Sequence, residues 1–228
     1  MGHAAPHQLL AVRLGDEPAA WAAAGFSVDT RDDSKGTVRI GSTNIELSGS
    51  GHGFEGWALD GVDAALDGLG AVAPWPATNT PSADPVGSAS PPHPNGVGRI
   101  DHVVLVTGDV PRTTAALETA GLEVRGSRRT HAFGGPALQV FLWAGDVILE
   151  LVGPDEGEPT TDGPASVMGL ALASADLVAT AAFLGPLLGT ARDAVQPGRQ
   201  VATFRHKEVG MQLPLLLMSP HVPDAIDD

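Results

Sequence analysis

The sequence predicts an α+β fold assembled from copies of one strand–helix–strand–strand–strand (βαβββ) module. Two observations carry that expectation. "IDHVVLVTGDVPRTTAALETAGLEV" and "MGLALASADLVATAAFLGPLLGTAR" share a layout of apolar run, aspartate, amphipathic stretch and glycine stop. From Asp109 to Pro154, and from Asp176 to Pro220, the two copies then run to nearly equal length through further β-like segments. Self-similarity at matched spacing means one supersecondary unit used twice. An unrepeated α+β domain is the alternative, and it leaves the matched lengths to chance.

A divergent, shorter βαβββ-like copy opens the chain. "LLAVRLGDEPAAWAAAGFSV" reads as strand, Asp16, helix and Gly25, and "GTVRIGSTNIELSG" as a hairpin ending in Glu46-Leu47-Ser48-Gly49. The first long copy ends comparably in Glu150-Leu151-Val152-Gly153. "EGWALDGVDAALDGLG" begins a fourth unit with a strand, and the next stretch cuts it short. That stretch, "PWPATNTPSADPVGSASPPHPNGVG", is rich in Pro, Ser, Asn and Gly and has no hydrophobic period, so it reads as a linker. The expected organisation is an N-terminal unit over 7–73, a Pro-rich linker over 74–97 and a two-module domain over 98–221. A lone N-terminal module leaves a bare sheet edge, to be covered by the main domain or a second chain. A homodimer is the expectation.

In the first long copy, "RIDHVVLV" is a strand whose alternation puts Ile100, His102, Val104 and Val106 on one face. Asp109 caps the following helix, which stops near Gly121. "RGSRRTHAFGG" reads as arginines and His131 around a solvated turn. "LQVFLWAGDVILELVGP" supplies two strands, with Ile148, Glu150 and Val152 sharing a face. In the second copy Asp176 caps a helix with Leu177, Ala181, Leu184 and Leu188 at helical spacing, and Pro186 should shorten its end. "RQVATFRHKEVGMQLPLLLMSP" closes the copy with strands.

Composition narrows the function classes. With 13 basic and 27 acidic residues the formal net charge is −14, which argues against nucleic acid and anionic membranes as partners. The chain has no Cys, so disulfides, thiolate metal sites and thiol nucleophiles are excluded. No apolar stretch approaches the ~20 residues of a membrane span, and the start lacks a signal-peptide pattern, so a cytoplasmic protein is expected. "GSGHGFEG" contains the glycine spacing of a dinucleotide fingerprint, but "WALDGV" follows where a helix must start, which makes it a turn.

Two residues stand out chemically. His102 and Glu150 each interrupt an aliphatic row, and an ionised carboxylate among apolar neighbours costs several kcal/mol unless compensated. Compensation comes either from a shared divalent cation or from a hydrogen-bonded pair without metal. A satisfied core histidine is the remaining reading of His102.

"IDHVVLVTGDV", "VILELVGP" and the paired βαβββ layout resemble the vicinal oxygen chelate superfamily, which includes glyoxalase I, bleomycin-resistance proteins, methylmalonyl-CoA epimerase and extradiol dioxygenases. The resemblance covers 98–220 well and 8–49 loosely. It implies that paired modules form a curled mixed sheet with a cleft, and that metal ligands come from the first and last strands of each module. Carried over by position, His102 and Glu150 are metal ligands for Zn, Mn, Fe, Ni or Co, with Glu150 also the proton-moving catalytic group. The sequence departs from that pattern in the second module. Gly169 stands at the first-strand position and Leu216 at the last-strand position, with Gln212 on the same expected strand face as Leu216 but earlier in the chain. In the N-terminal copy the corresponding residues are Leu9 and Glu46, the latter expected as a solvated carboxylate beside Asn44 and Ser48.

Two functions follow as expectations. One is a metal-dependent lyase or isomerase of glyoxalase type acting on a vicinal-oxygen substrate. The other is a metal-free small-molecule binding protein of bleomycin-resistance type. In the binding reading Phe141 or Trp143 lines the site with the aliphatic row, and Arg199 and Arg205 are candidate ligand-binding residues.

Overall fold

One repeated unit organises the computed structural model, which describes residues 7–32, 34–76, 92–132, 134–155 and 162–220. The N-terminal unit runs β1 (Leu9–Leu14), α1 (Pro18–Ala23), β2 (Asp29–Asp32), β3 (Lys35–Ile40), β4 (Thr43–Leu47) and β5 (Phe54–Leu59). The next module is β6 (Val97–Val106), α2 (Val110–Thr119), β7 (Val124–Ala132), β8 (Gly135–Ala144) and β9 (Val147–Pro154). The last is β10 (Ser166–Ser174), α3 (Leu177–Leu184), β11 (Arg192–Asp193), β12 (Gln200–Phe204) and β13 (Leu215–Met218). They form a five-stranded sheet, ordered β2-β3-β4-β1-β5, and an eight-stranded sheet, ordered β11-β12-β13-β10-β6-β9-β8-β7.

Every module obeys one rule: its first strand runs parallel to its last. β1 pairs with β4, β6 with β9 and β10 with β13. Neighbouring modules join through antiparallel first strands, β6 with β10 and β1 with β5. β5 is therefore the first strand of a fourth module. The parallel bridge Trp57–Ala71 repeats the pairing of Leu170 with Leu215. The fourth module thus keeps its first strand and a vestige of its last, and a short loop replaces the rest.

Helix starts follow the capping chemistry. The Asp109 carboxylate accepts the Arg112 amide at 2.9 Å, and Asp176 accepts those of Val178 and Ala179 at 2.9 and 3.0 Å. Asp16 does not cap α1, whose N-cap is Glu17. Its buried carboxylate instead accepts Trp21 Nε1 at 2.9 Å and the Gln212 amide at 2.8 Å, joining the first module to the last. Burial pushes the Asp16 carboxyl up despite those hydrogen bonds. α3 ends at Leu184, and Pro186 falls in the 3-10 turn Gly185–Leu187 that follows.

A single hydrophobic cluster spans both sheets. Trp21, Trp57 and Ile45 of the N-terminal unit belong to it together with Ile100, Val103, Leu105 and Leu149. So do Val110 and Leu117 of α2 and Leu177 and Leu184 of α3, so the helices cover this face. The opposite face of the eight-stranded sheet carries two small separate clusters, Val104-Ala137-Val152 and Ala171-Val201-Met218. That second face is the one that holds the site.

Three expectations need correcting. "RGSRRTHAFGG" is largely the edge strand β7 and its turn into β8, paired along β8, rather than a solvated loop. Residues 77–91 of the Pro-rich stretch lie outside the described residues, but Trp75 is packed, with Arg13 and Arg31 over its ring at 5.0 and 5.2 Å. Glu46 is not solvated. It is 1% exposed, paired with Arg13 at 2.7 Å, and accepts the Trp75 backbone amide. The chain after β5 therefore closes the N-terminal counterpart of the site face.

Candidate functional site

A β-bulge sets the site. β6 pairs with β10 so that Ala171 faces His102 and Leu172 faces Ile100, which leaves Asp101 as the extra residue. A bulge re-aims the side chains around it and reverses the alternation beyond it. Ile100 consequently joins the core with Val103 and Leu105, and it does not share a face with His102 as simple alternation predicts. β10 carries the matching bulge at Met168, one residue before Gly169.

Asp101 and His102 then act together. His102 Nδ1 lies 3.0 Å from Asp101 Oδ2, and its Nε2 lies 3.5 Å from Glu150 Oε2. The second distance is an electrostatic contact beyond ordinary hydrogen-bond length. Both His102 and Glu150 are 15% exposed, so a small molecule can reach them. Gln139 Nε2 donates to Glu150 Oε1, which leaves Oε2 toward His102. The Gln139 amide is fixed in turn, because its Oε1 accepts Arg128 Nε at 2.9 Å.

Behind the imidazole stands a buried ion pair. Arg199, 4% exposed, donates to Asp101, 6% exposed, at 2.7 and 3.3 Å. Arg199 also donates to the Ser219 carbonyl at 2.9 and 3.1 Å, which fixes the guanidinium at the end of β13. Burial alone would raise the Asp101 pKa. The His102 and Arg199 hydrogen bonds and charges outweigh it and hold the carboxyl well below the usual range. Asp101 therefore stays ionised as the acceptor beside Nδ1, and the other ring nitrogen, Nε2, is turned toward Glu150.

The same topology occurs in known proteins. A triple mutant of 4-hydroxymandelate synthase from Streptomyces coelicolor is similar at 15% identity over 97% of this chain and 95% of that chain, with a TM-score of 0.61. A xylose isomerase-like TIM barrel/4-hydroxyphenylpyruvate dioxygenase fusion protein is similar at 14% identity over 98% of this chain and 50% of that chain, TM-score 0.61. The chain has the vicinal oxygen chelate fold. No protein-family model matches the sequence, and no curated protein matches it.

The vicinal oxygen chelate fold fixes which residues correspond between modules. Glu150 lies opposite Val104 in β6–β9, and Leu216 lies opposite Ala171 in β10–β13, so Leu216 is the counterpart of Glu150. Gly169 is the counterpart of His102, and a Cβ there would meet the Pro214 carbonyl oxygen at 2.6 Å. The backbone leaves that position no room for a ligating side chain. In the N-terminal unit the bulge falls at Leu10, which makes Ala11, and not Leu9, the counterpart of His102. Gln212 precedes β13, so strand alternation does not place it with Leu216; its backbone N–H donates to Asp16 and its side chain to the Gly210 carbonyl.

Phe141 lies opposite Glu150 and Trp143 opposite Ile148, so both share the face of Glu150. Trp143 is exposed there. Arg199 meets the His102–Glu150 pair only through Asp101. Arg205 is not brought to the others: it is exposed after β12 and pairs with Glu208 at 3.4 Å. Sequence reasoning missed Asp101, Gln139 and Arg128. The signal for Gln139 was available, since it alternates with Phe141 and Trp143 on β8. Arg128 lies opposite Gln139 on β7, with its guanidinium 5.7 Å from the Phe141 ring centre.

The donor set fits a resident metal poorly. Two ligands at about 2.1 Å in a tetrahedral sphere stand about 3.4 Å apart, close to the His102–Glu150 separation, and Asp101 supplies the usual carboxylate behind a ligating imidazole. Among the described residues the second module supplies no further side-chain ligand, and no group of three His, Asp or Glu is arranged to hold a metal ion.

Proposed function

We propose that the paired C-terminal modules form a glyoxalase-like small-molecule site, binding an apolar compound with adjacent oxygens without a resident metal. The observation that carries this reading is the His102–Glu150 pair, braced by Asp101 and Arg199, on a face otherwise lined by Val104, Ala137, Val152, Ala171 and Met218. The apolar walls take the body of the ligand, and the two polar groups meet its oxygens. His102, held through Nδ1, presents Nε2 to one oxygen. Glu150 Oε2 is placed to accept a proton from a hydroxyl or from the carbon beside a carbonyl.

A second reading, a metal-dependent lyase or isomerase, is favoured by the ligand-like spacing of Nε2 and Oε2 and by the Asp101 hydrogen bond at Nδ1. Elemental analysis of protein purified without added metal separates the two, run beside His102→Ala and a thermal titration with catechol. The first reading predicts no stoichiometric metal in either protein and a catechol-induced rise in melting temperature that is lost in His102→Ala and Glu150→Gln. One metal per chain, lost in His102→Ala, supports the second. A catechol shift unaltered by either substitution removes both.

A second copy of the chain remains part of this proposal. The β5 edge of the N-terminal sheet is partly covered by its own chain, since Trp57 exchanges backbone hydrogen bonds with Gly70 and Val72 at 3.0 and 2.9 Å. No helix among the described residues is long and apolar enough to cross a membrane.

A further inference from the structure

Away from the His102 face, a cavity of about 540 Å³ opens where the two sheets meet. Its walls come from the β3–β4 turn, the start of β6, the end of β10 and the β8–β9 turn. That volume is in the range that holds a small organic ligand. Ala173, Ala175 and Pro220 supply apolar wall, and Arg39, Arg99 and Asp146 supply charge.

Among the described residues the charges do not cancel. Asp146 accepts the Ser42 hydroxyl at 2.6 Å, a bond that ties the two hairpin turns together. Arg39 makes no ion pair among the described residues, and its Nε reaches the Gly41 carbonyl at 3.4 Å. Arg99 donates to Asp101 at 3.1 Å, but that carboxylate is already held by Arg199 at 2.7 Å. Two guanidiniums therefore face one carboxylate, a local surplus of positive charge in a chain of net charge −14. Such a surplus is where an anion is drawn in an otherwise acidic protein. A planar fork suits a carboxylate or phosphate oxygen pair.

We propose that this cavity binds a small organic monoanion, a carboxylate with an apolar body, its charged end held by Arg39 and Arg99. One carboxylate balances the surplus, and the apolar body lies against Ala173, Ala175 and Pro220. Both arginine side chains are on the surface side of the core, so the site can be filled without opening the fold. Arg99 and His102 share the Asp101 carboxylate, so the two sites adjoin, and the His102→Ala control keeps their tests apart.

The test is a calorimetric titration of the full chain with octanoate, beside 1-octanol and inorganic phosphate. Octanoate should bind and raise the melting temperature, with affinity falling about tenfold or more in Arg39→Gln and in Arg99→Gln. Arg39→Lys should recover part of the loss, and His102→Ala should bind octanoate as the unaltered chain does. Three results overturn the proposal. They are no octanoate binding, binding lost in His102→Ala but kept in Arg39→Gln, and 1-octanol or phosphate binding as tightly as octanoate. Unchanged circular dichroism of each glutamine variant separates lost binding from lost fold.

Discussion

Arg199→Met is expected to destabilise the protein by about 3–5 kcal/mol, the usual cost of stripping one partner from a buried ion pair. Arg199 is 4% exposed and Asp101 6% exposed, so the carboxylate left behind has little access to water. It would keep its bonds to His102 and Arg99, which is why complete unfolding is not expected. Urea denaturation at neutral pH measures the loss. The pH dependence carries a second signature. In the folded chain the Asp101 carboxyl is held below its ordinary value of 3.8, against the effect of burial, by His102 and Arg199. A depressed carboxyl stabilises the fold above the unfolded pKa, and that contribution fades as pH falls below about 3.8 toward the folded value. The unaltered protein should therefore lose stability in that acid window, and the Arg199→Met profile there should be flatter or reversed. A loss under 1 kcal/mol with an unchanged acid limb would show that the pair does not exist as described.

Arg13→Met is expected to have a comparable effect at the other end of the molecule. Glu46 is 1% exposed and is held by Arg13, which donates through both Nε and a terminal nitrogen at 2.9 and 2.7 Å. Arg13 also donates to the Ala73 carbonyl at 2.8 Å and faces the Trp75 ring, so one guanidinium pins the segment that covers Glu46. Its removal should cost about 3–5 kcal/mol and speed proteolysis between Ala71 and Pro76. The double variant Arg13→Met/Glu46→Leu, which removes the stranded charge, should regain most of the stability while staying protease-sensitive. A double variant no better than the single one would mean that packing, and not the buried charge, dominates there.

How far the sequence announces this structure depends on where each feature keeps its information. The modules are legible because their signals are local: caps at Asp109 and Asp176, apolar helix faces, and strands following each helix in the same order. His102 and Glu150 are legible as polar residues in aliphatic rows, and parallel pairing of β6 with β9 brings the rows together. Asp101 is not legible, because a bulge adds one residue without any change of composition. Strict alternation therefore assigns Ile100 to the wrong face and hides the carboxylate next to the imidazole. Arg199 follows a Pro-Gly turn and looks like any surface arginine. Its partner is 98 residues away in sequence, and burial by β13 is invisible from either end. Glu46 misleads for the same reason: its polar neighbours suggest solvent, while its cover, Trp75, comes from beyond the next strand. The truncated fourth module announces its first strand, but the vestige of its last, a single bridge at Ala71, is too short to carry a period. Long-range covering, rather than secondary structure, is what local patterns fail to convey.

The most direct measurement is a ring-nitrogen NMR spectrum of His102, assigned by its absence in His102→Ala. With Asp101 at one nitrogen and Glu150 at the other, Asp101→Asn should move the Nδ1 signal, and Glu150→Gln should move that of Nε2. If Glu150→Gln leaves both signals where they were, the acid and the imidazole do not share a site, and the proposed binding face is wrong.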